Sequence, residues 1–146
     1  MKIKVKLLNQ NARMPEYAHL DDAGMDIFSA ENKIIQPRQT VTISTAIALE
    51  FPTGFVGRVL DRSSWGVTGI HTFAGVIDSG YRGEYKIVLH NSTDLPFEIK
   101  QGDKIAQIVF YKFYRAEIQP SDELTESDRG KKGFGSTDKI KPKIKN

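Results

Sequence analysis

Short runs in which apolar and polar residues alternate, each closed by a turn signal, leave this chain few folds to choose from. The runs are Lys2 to Leu8, Val41 to Ala48, Phe55 to Leu60, Lys86 to Leu89 and Ile105 to Phe113. Pro, Gly, Asn and Asp punctuate them at Gln36-Pro37, Pro52-Thr53-Gly54, Asn91-Ser92-Thr93-Asp94 and Gln101-Gly102-Asp103. A period of two puts alternate side chains on opposite faces of a strand, so each run buries one face by pairing with others. Regularly spaced short strands of this kind predict an all-β sandwich or barrel. No segment sustains a helical period, and little helix is expected beyond a brief turn around Ser63 to Val67.

With 146 residues there is room for one domain with a respectable core. Residues 1–120 are read as that β-rich core. From Ser121 the composition turns polar and Gly-rich, with three glycines around Phe134, and residues 121–146 are read as a mobile arm. No apolar run approaches the length that crosses a bilayer, and MKIKVKLL alternates like an edge strand rather than a signal peptide. A cytoplasmic protein without membrane contact is expected. The absence of cysteine removes any disulfide framework or thiolate metal site and is compatible with that compartment. The pI of 9.1 suggests nucleic acid, but the charge is unevenly placed. The last nine residues, DKIKPKIKN, hold four Lys and one Asp, which leaves 17 basic and 17 acidic residues in the rest. A neutral body with a short basic end predicts a solvated terminus rather than a phosphate-tracking groove, so no stable nucleic-acid binding is expected.

The residues that look like chemistry converge on Gly75 to Tyr85, GVIDSGYRGEY. Asp78 closes an apolar strand and precedes a Ser-Gly turn pair, then Tyr81 and Arg82. The pattern reads as a hairpin, with Asp78 either a general base or an exposed turn residue. Gly83 would let backbone approach whatever the hairpin holds.

Four other stretches carry residues that phosphate chemistry uses. In AGMDIFSA, Ala23 to Ala30, Asp26 opens a strand as a carboxylate that supports a metal or an Arg, or as a turn cap. In DRSSWGVTG, Asp61 to Gly69, Arg62, Ser63, Ser64 and the turn's N–H groups can cradle phosphate oxygens, although Walker spacing is missing. In GDKIAQIVF, Gly102 to Phe110, alternation puts Gln107 on the face of Ile105 and Val109. It is either a satisfied buried amide or a group that positions ligand or water. In RGKKGFGST, Arg129 to Thr137, Arg129, Ser136 and Thr137 can bind phosphate and Phe134 can stack on a base, or the segment is a solvated linker. The three histidines show no metal-ligand spacing, and Trp65 reads as a packing residue.

In order and separation, AGMDIFSA, RSSWG, GVIDSGYRGE, GDKIAQIVF and RGKKGFGST resemble the five motifs of the trimeric deoxyuridine triphosphatase (dUTPase) family, over about Ala23 to Thr137. The resemblance implies a jelly-roll-like β-sandwich or barrel, the β-clip of that family, assembled as a homotrimer with active sites at subunit interfaces. It implies Mg²⁺-dependent hydrolysis of dUTP to dUMP and pyrophosphate, which limits uracil in DNA and supplies dUMP for thymidylate. By position, Asp78 would be the general base that activates water, and Gln107 would help hold that water or the α-phosphate. Tyr81 would pack against the deoxyribose, while backbone from Gly75 to Lys86 would read the uracil edge. Arg62, Ser63, Ser64 and Gly66 would hold phosphates. Asp26 would reach Mg²⁺ through water or support Arg62. A neighbouring subunit's arm would close over the site, with Phe134 on uracil and Arg129, Gly135, Ser136 and Thr137 at the γ-phosphate end.

Asp61, Ser64, Gly80, Lys104 and Asp138 depart from the commonest family pattern, which has Pro, Gly, Asp, Arg and Gly there. Two other readings compete. The related dCTP deaminases and their bifunctional forms share the fold, but the resemblance gives them a catalytic Glu ten residues after the aspartate that matches Asp78. Here that residue is Val88, and an aliphatic side chain transfers no proton. A non-catalytic nucleotide-binding regulator would have no reason to keep Asp78, Gln107 and Phe134 together.

Overall fold

The structure is a computed structural model that describes residues 1–133. Phe134, Gly135, Ser136 and Thr137, with the basic end, lie outside the described residues. The chain divides into two compact units, Met1–Tyr114 and Arg115–Asn146. Among the described residues no helix is long and apolar enough to cross a membrane.

The first unit is all-β apart from one four-residue helical turn, as the alternating runs predict. One sheet has four antiparallel strands: β2 (Met25–Phe28), β11 (Lys104–Lys112), β6 (Phe55–Leu60) and β8 (Val76–Asp78), in that spatial order. A second joins β4 (Thr40–Ile43), β9 (Ile87–Asn91) and β7 (Ile70–Phe73), again antiparallel. Two ribbons complete the unit: β1 (Lys4–Leu7) with β5 (Ile47–Glu50), and β10 (Phe97–Ile99) with β3 (Lys33–Ile35). The turn α1 (Ser63–Gly66) follows β6, where a brief helix is expected from sequence.

All these pieces feed one core. Ile27, Ile108 and Val59 come from the four-stranded sheet, Ile43, Ile87 and Leu89 from the three-stranded one, and Ile47, Leu49, Ile35 and Ile99 from the ribbons. Each such side chain, fully buried, contributes roughly 1.5–3 kcal/mol of transfer free energy. Trp65 of α1 meets the edge of Phe97 at a centroid distance of 5.0 Å, which makes it a packing residue.

Three local readings change. Val41 to Ala48 is two strands, because Ala46 adopts a left-handed φ of 52° between β4 and β5. Its N–H donates to Glu84 Oε1 at 3.0 Å and its carbonyl accepts from Leu8 N–H at 2.8 Å, contacts that offset the backbone cost. Gly75 to Tyr85 is not a hairpin: β8 pairs with β6, and β9 pairs with β4 and β7. The chain crosses from one sheet to the other because Tyr85 is drawn to β5, its N–H donating to Ile47 O at 2.9 Å. Finally, the β11 register slips between Lys104 and Ala106, so Ile105 is an extra residue facing the core while Gln107 faces away from it.

In the second unit the described residues, 115–133, are exposed and contain neither strand nor helix. A local turn bonds Gly130 N–H to Ser127 O at 2.9 Å and Lys132 N–H to Arg129 O at 3.1 Å. Arg129 Nε donates to Lys132 O at 3.1 Å within it.

Candidate active site

Strand pairing places part of the site with little freedom. Gln107 sits between Asp26 on β2 and Leu60 on β6. Directly paired residues share a face, so the Asp26 and Gln107 side chains meet, and Gln107 Nε2 donates to Asp26 Oδ1 at 3.2 Å. Lys104 Nζ donates to Asp26 Oδ2 at 2.6 Å, and Arg62 Nε lies 3.8 Å from Oδ1. Arg62 Nη1 also donates to Lys104 O at 3.0 Å, so the guanidinium is tied to the strand that carries Gln107. Asp26 is 3% exposed. Burial alone would raise its carboxyl, but the hydrogen bonds from Lys104 and Gln107, with the Lys104 and Arg62 charges, hold it below the ordinary carboxylate range.

Gly24 and Lys104 complete this cluster, and neither is a site residue in the sequence reading. A Cβ at Gly24 would stand 2.8 Å from Gln107 Oε1, so the missing side chain is what admits the amide. A glycine two residues before a strand carboxylate is the signal that could have found it.

Arg62 leads into α1. The N–H groups of Trp65 and Gly66 donate to Arg62 O, both at 2.9 Å, and that of Val67 donates to Ser63 O at 3.1 Å. The N–H of Gly66 is therefore used inside the turn, while Ser63 and Ser64 present exposed hydroxyls at its start. Asp61, just before this turn, is tied to β7: His71 Nδ1 lies 2.8 Å from Oδ2, and Thr72 donates to Oδ1 through N–H at 2.6 Å and Oγ1 at 2.7 Å. Burial opposes the Asp61 charge, and the Thr72 and His71 bonds outweigh it, so the carboxyl is held low.

Asp78 lies elsewhere. It pairs with Val56, four residues from Leu60 along β6, and on the opposite side of β6 from β11. At about 3.4 Å per residue and 4.8 Å per strand, the Asp78 and Gln107 backbones stand roughly 17 Å apart. Pairing places both side chains on the same face. Between them runs an open groove of about 530 Å³, lined by Val56, Leu60, Val76, Tyr111 and Phe113 with Arg58 and Asp78. Asp78 is exposed, and among the described residues its carboxylate makes no hydrogen bond or ion pair. Tyr81 N–H donates to Asp78 O at 3.1 Å, which closes the turn. The Tyr81 ring is 48% exposed beside it. Lys86 Nζ lies 3.7 Å from Glu84 Oε2, and Gly75 O accepts from Val59 N–H at 2.9 Å.

One chain thus brings Asp26, Arg62 and Gln107 together, with Ser63 and Ser64 next to Arg62 in sequence, and holds Asp78, Tyr81 and Lys86 apart from them. Arg129 belongs to the second unit. No group of three or more His, Cys, Asp or Glu that could hold a metal occurs among the described residues.

Known proteins are similar to this chain in sequence and in fold. A deoxyuridine 5'-triphosphate nucleotidohydrolase of Clostridium tetani is 45% identical over 141 residues, 94% of this chain and 97% of that protein. One from Candida albicans is 43% identical over 140 residues, covering 94% and 88% of the two chains. Among solved structures, a Staphylococcus bacteriophage 80alpha dUTPase mutant with dUpNHpp superposes with a TM-score of 0.86 at 33% identity, over 93% of this chain and 98% of that one. A mutant dUTPase from phage phi11 of S. aureus, described with a structural Mg(II) ion, gives 0.80 at 31% identity over 86% and 100%. A model of the dUTPase family matches residues 10–138, which takes in both the buried Asp26 cluster and the exposed Asp78 turn, and the chain therefore belongs to the dUTPase family.

Proposed function

We propose that this chain hydrolyses dUTP to dUMP and pyrophosphate as a homotrimer, with the Asp78 turn of one protomer facing the Asp26 cluster of another. One observation supports the shared site most. Asp78 and Gln107 lie on one open face roughly 17 Å apart, too far to address the same phosphorus from one chain. An apolar groove between them, with Val76, Tyr111 and Phe113 exposed, suits a second copy that brings its own half.

Asp78 accepts a proton from water, whose oxygen attacks the α-phosphorus as the bond to the β-phosphate oxygen breaks and pyrophosphate leaves. Gln107 uses one Nε2–H on Asp26, and its second is available to an α-phosphate oxygen or the attacking water. Arg62, Ser63 and Ser64 hold phosphate oxygens, and Gly66 shapes the turn that presents them. Asp26 positions Arg62, Lys104 and Gln107. Tyr81 packs on the deoxyribose, and backbone between Gly75 and Lys86 reads uracil, which differs from cytosine along its pairing edge. The wrong base leaves buried polar groups unpaired. In the arm, Phe134 covers the base, and Arg129, Gly135, Ser136 and Thr137 take the γ-phosphate end.

The donor set fits Mg²⁺ only as an ion carried by the triphosphate. Asp26 is the single buried carboxylate of the site, and with Lys104 and Gln107 on its oxygens it is suited to hold the ion through water. When bound, Mg²⁺ offsets phosphate charge that a neutral protein body does not. The cytoplasm is the setting we assign.

Incubation with Mg²⁺ and, separately, dUTP, dCTP, dTTP and UTP, with pyrophosphate and ammonia measured, tests the reading. Pyrophosphate from dUTP alone is expected; ammonia from dCTP, or no pyrophosphate from dUTP, would overturn it. Val88, paired with Thr42 and Phe73 inside the three-stranded sheet, offers no proton for deamination.

A further inference from the structure

The Tyr81 ring is half exposed, yet it is held on three sides. Its Oη donates to Glu84 O at 3.1 Å. Its hydroxyl end lies against Gly83: a Cβ built there would meet Tyr81 Oη and would stand 2.6 Å from Cζ and 2.9 Å from Cε2. Its flank meets Tyr85, with ring centroids 5.8 Å apart and planes at 39°.

The holders are themselves fixed to the core. Tyr85 is 2% exposed, bonds through N–H to Ile47 O, and accepts at its carbonyl from Thr45 Oγ1. The Glu84 carboxylate accepts from Ser44 Oγ and Ala46 N–H. Gly83 is not among the glycines with positive φ, so its backbone would accept an L side chain. What a side chain there would strike is the far end of Tyr81.

We infer that Gly83 is a positioning residue for sugar selectivity: by lacking a Cβ it sets the height of the Tyr81 ring, and so the width of the slot that takes deoxyribose and refuses ribose. The inference rests on the proposed reading of Tyr81 as the sugar-packing residue. Gly83→Ala lifts the ring by about an ångström to reach ordinary contact distance. On this inference the sugar lies on the side of the ring away from Gly83, and the ring moves toward it. The slot narrows while the general base and phosphate cluster stay in place.

The test is a double-mutant cycle with Gly83→Ala and Tyr81→Leu, reading kcat and KM for dUTP and UTP together with the melting temperature of each trimer. Gly83→Ala is expected to raise the dUTP KM about tenfold, equivalent to about 1.4 kcal/mol, with kcat and melting temperature little changed. In the Tyr81→Leu background the same substitution is expected to have no effect on KM, since the struck atoms are gone. Tyr81→Leu alone is expected to relax discrimination against UTP; unchanged discrimination would remove the sugar reading and the inference with it. If discrimination relaxes but Gly83→Ala costs as much in both backgrounds, or leaves an unfolded chain, the role of Gly83 is refuted while the sugar reading stands.

Discussion

The two halves of the site are built on opposite principles. Asp26 is buried and surrounded by Lys104 and Gln107, held by strand pairing, and by Arg62, held by its bond to Lys104 O. Asp78 is exposed at the end of a three-residue strand, and among the described residues its carboxylate has no partner. A cluster that must present fixed charge to phosphates gains from partners that prevent reorganisation. A base must instead keep its lone pairs available to water. The contrast teaches that removing the exposed acid should cost chemistry and leave the fold, while removing the buried one should cost both.

Asp78→Asn carries the largest expected effect on turnover, a loss of about 10²–10⁴-fold, because the amide keeps the shape without a basic oxygen. Its stability should stay within about 0.5 kcal/mol of the parent, as for an exposed residue away from any network. Substantial remaining turnover, or a large fall in stability, would erase the contrast.

Asp26→Ala is expected to destabilise by about 1–3 kcal/mol, since the hydrogen bonds of Lys104 and Gln107 to a buried carboxylate are lost while Lys104 and Arg62, both partly exposed, keep some solvation. Asp26 also sets a pH dependence. Its folded carboxyl is held below its ordinary value of 3.8, so its contribution to stability is present above that pH and is lost as pH falls through the folded value. Urea titrations of the parent between pH 5 and pH 2 should therefore show a larger acid loss than those of the Ala variant, in which Asp61 still contributes. Equal acid slopes would show that the ion cluster carries no stability.

Tyr85→Phe is the smallest of the three and sharpens the turn side of the comparison. Tyr85 Oη is buried and has no hydrogen-bond partner among the described residues, and an unsatisfied buried group of this kind costs about 1–3 kcal/mol. The Phe variant should be more stable by about 1 kcal/mol. Burial pushes the Tyr85 phenol up from 10.0 to about 12. The neutral form thus contributes stability that is complete below pH 10 and is lost as pH rises toward 12, a window that chemical denaturation of the Phe variant should show flattened. An unchanged alkaline limb would mean that Oη reaches water.

Much of this was legible in the sequence, and what was not has a common cause. The β-rich fold, the turn after β6 and the packing role of Trp65 follow from period, breakers and residue type within short windows. The reading of Gly75 to Tyr85 as a hairpin failed because Ile47 captures Tyr85 N–H, a contact from far along the chain. Val41 to Ala48 broke in two for the same reason, since Glu84 and Leu8 hold Ala46 in its left-handed turn. Gln107 was recognised as an amide out of pattern, but the bulge at Ile105 that turns it away from the core leaves no local signature. In sequence Lys104 reads only as a departure from the family pattern. Its bond to Asp26 depends on the pairing of β2 with β11.

The central claim is that neither half of the site acts alone within one chain. Mixing Asp78→Asn with Arg62→Ala, each impaired by itself, and refolding them together tests it directly. In randomly mixed assemblies about a quarter of the sites should combine an intact Asp78 from one protomer with an intact Arg62 from another. dUTP hydrolysis should therefore return to about a quarter of the parent rate; a mixture no more active than its separate components would contradict the shared site.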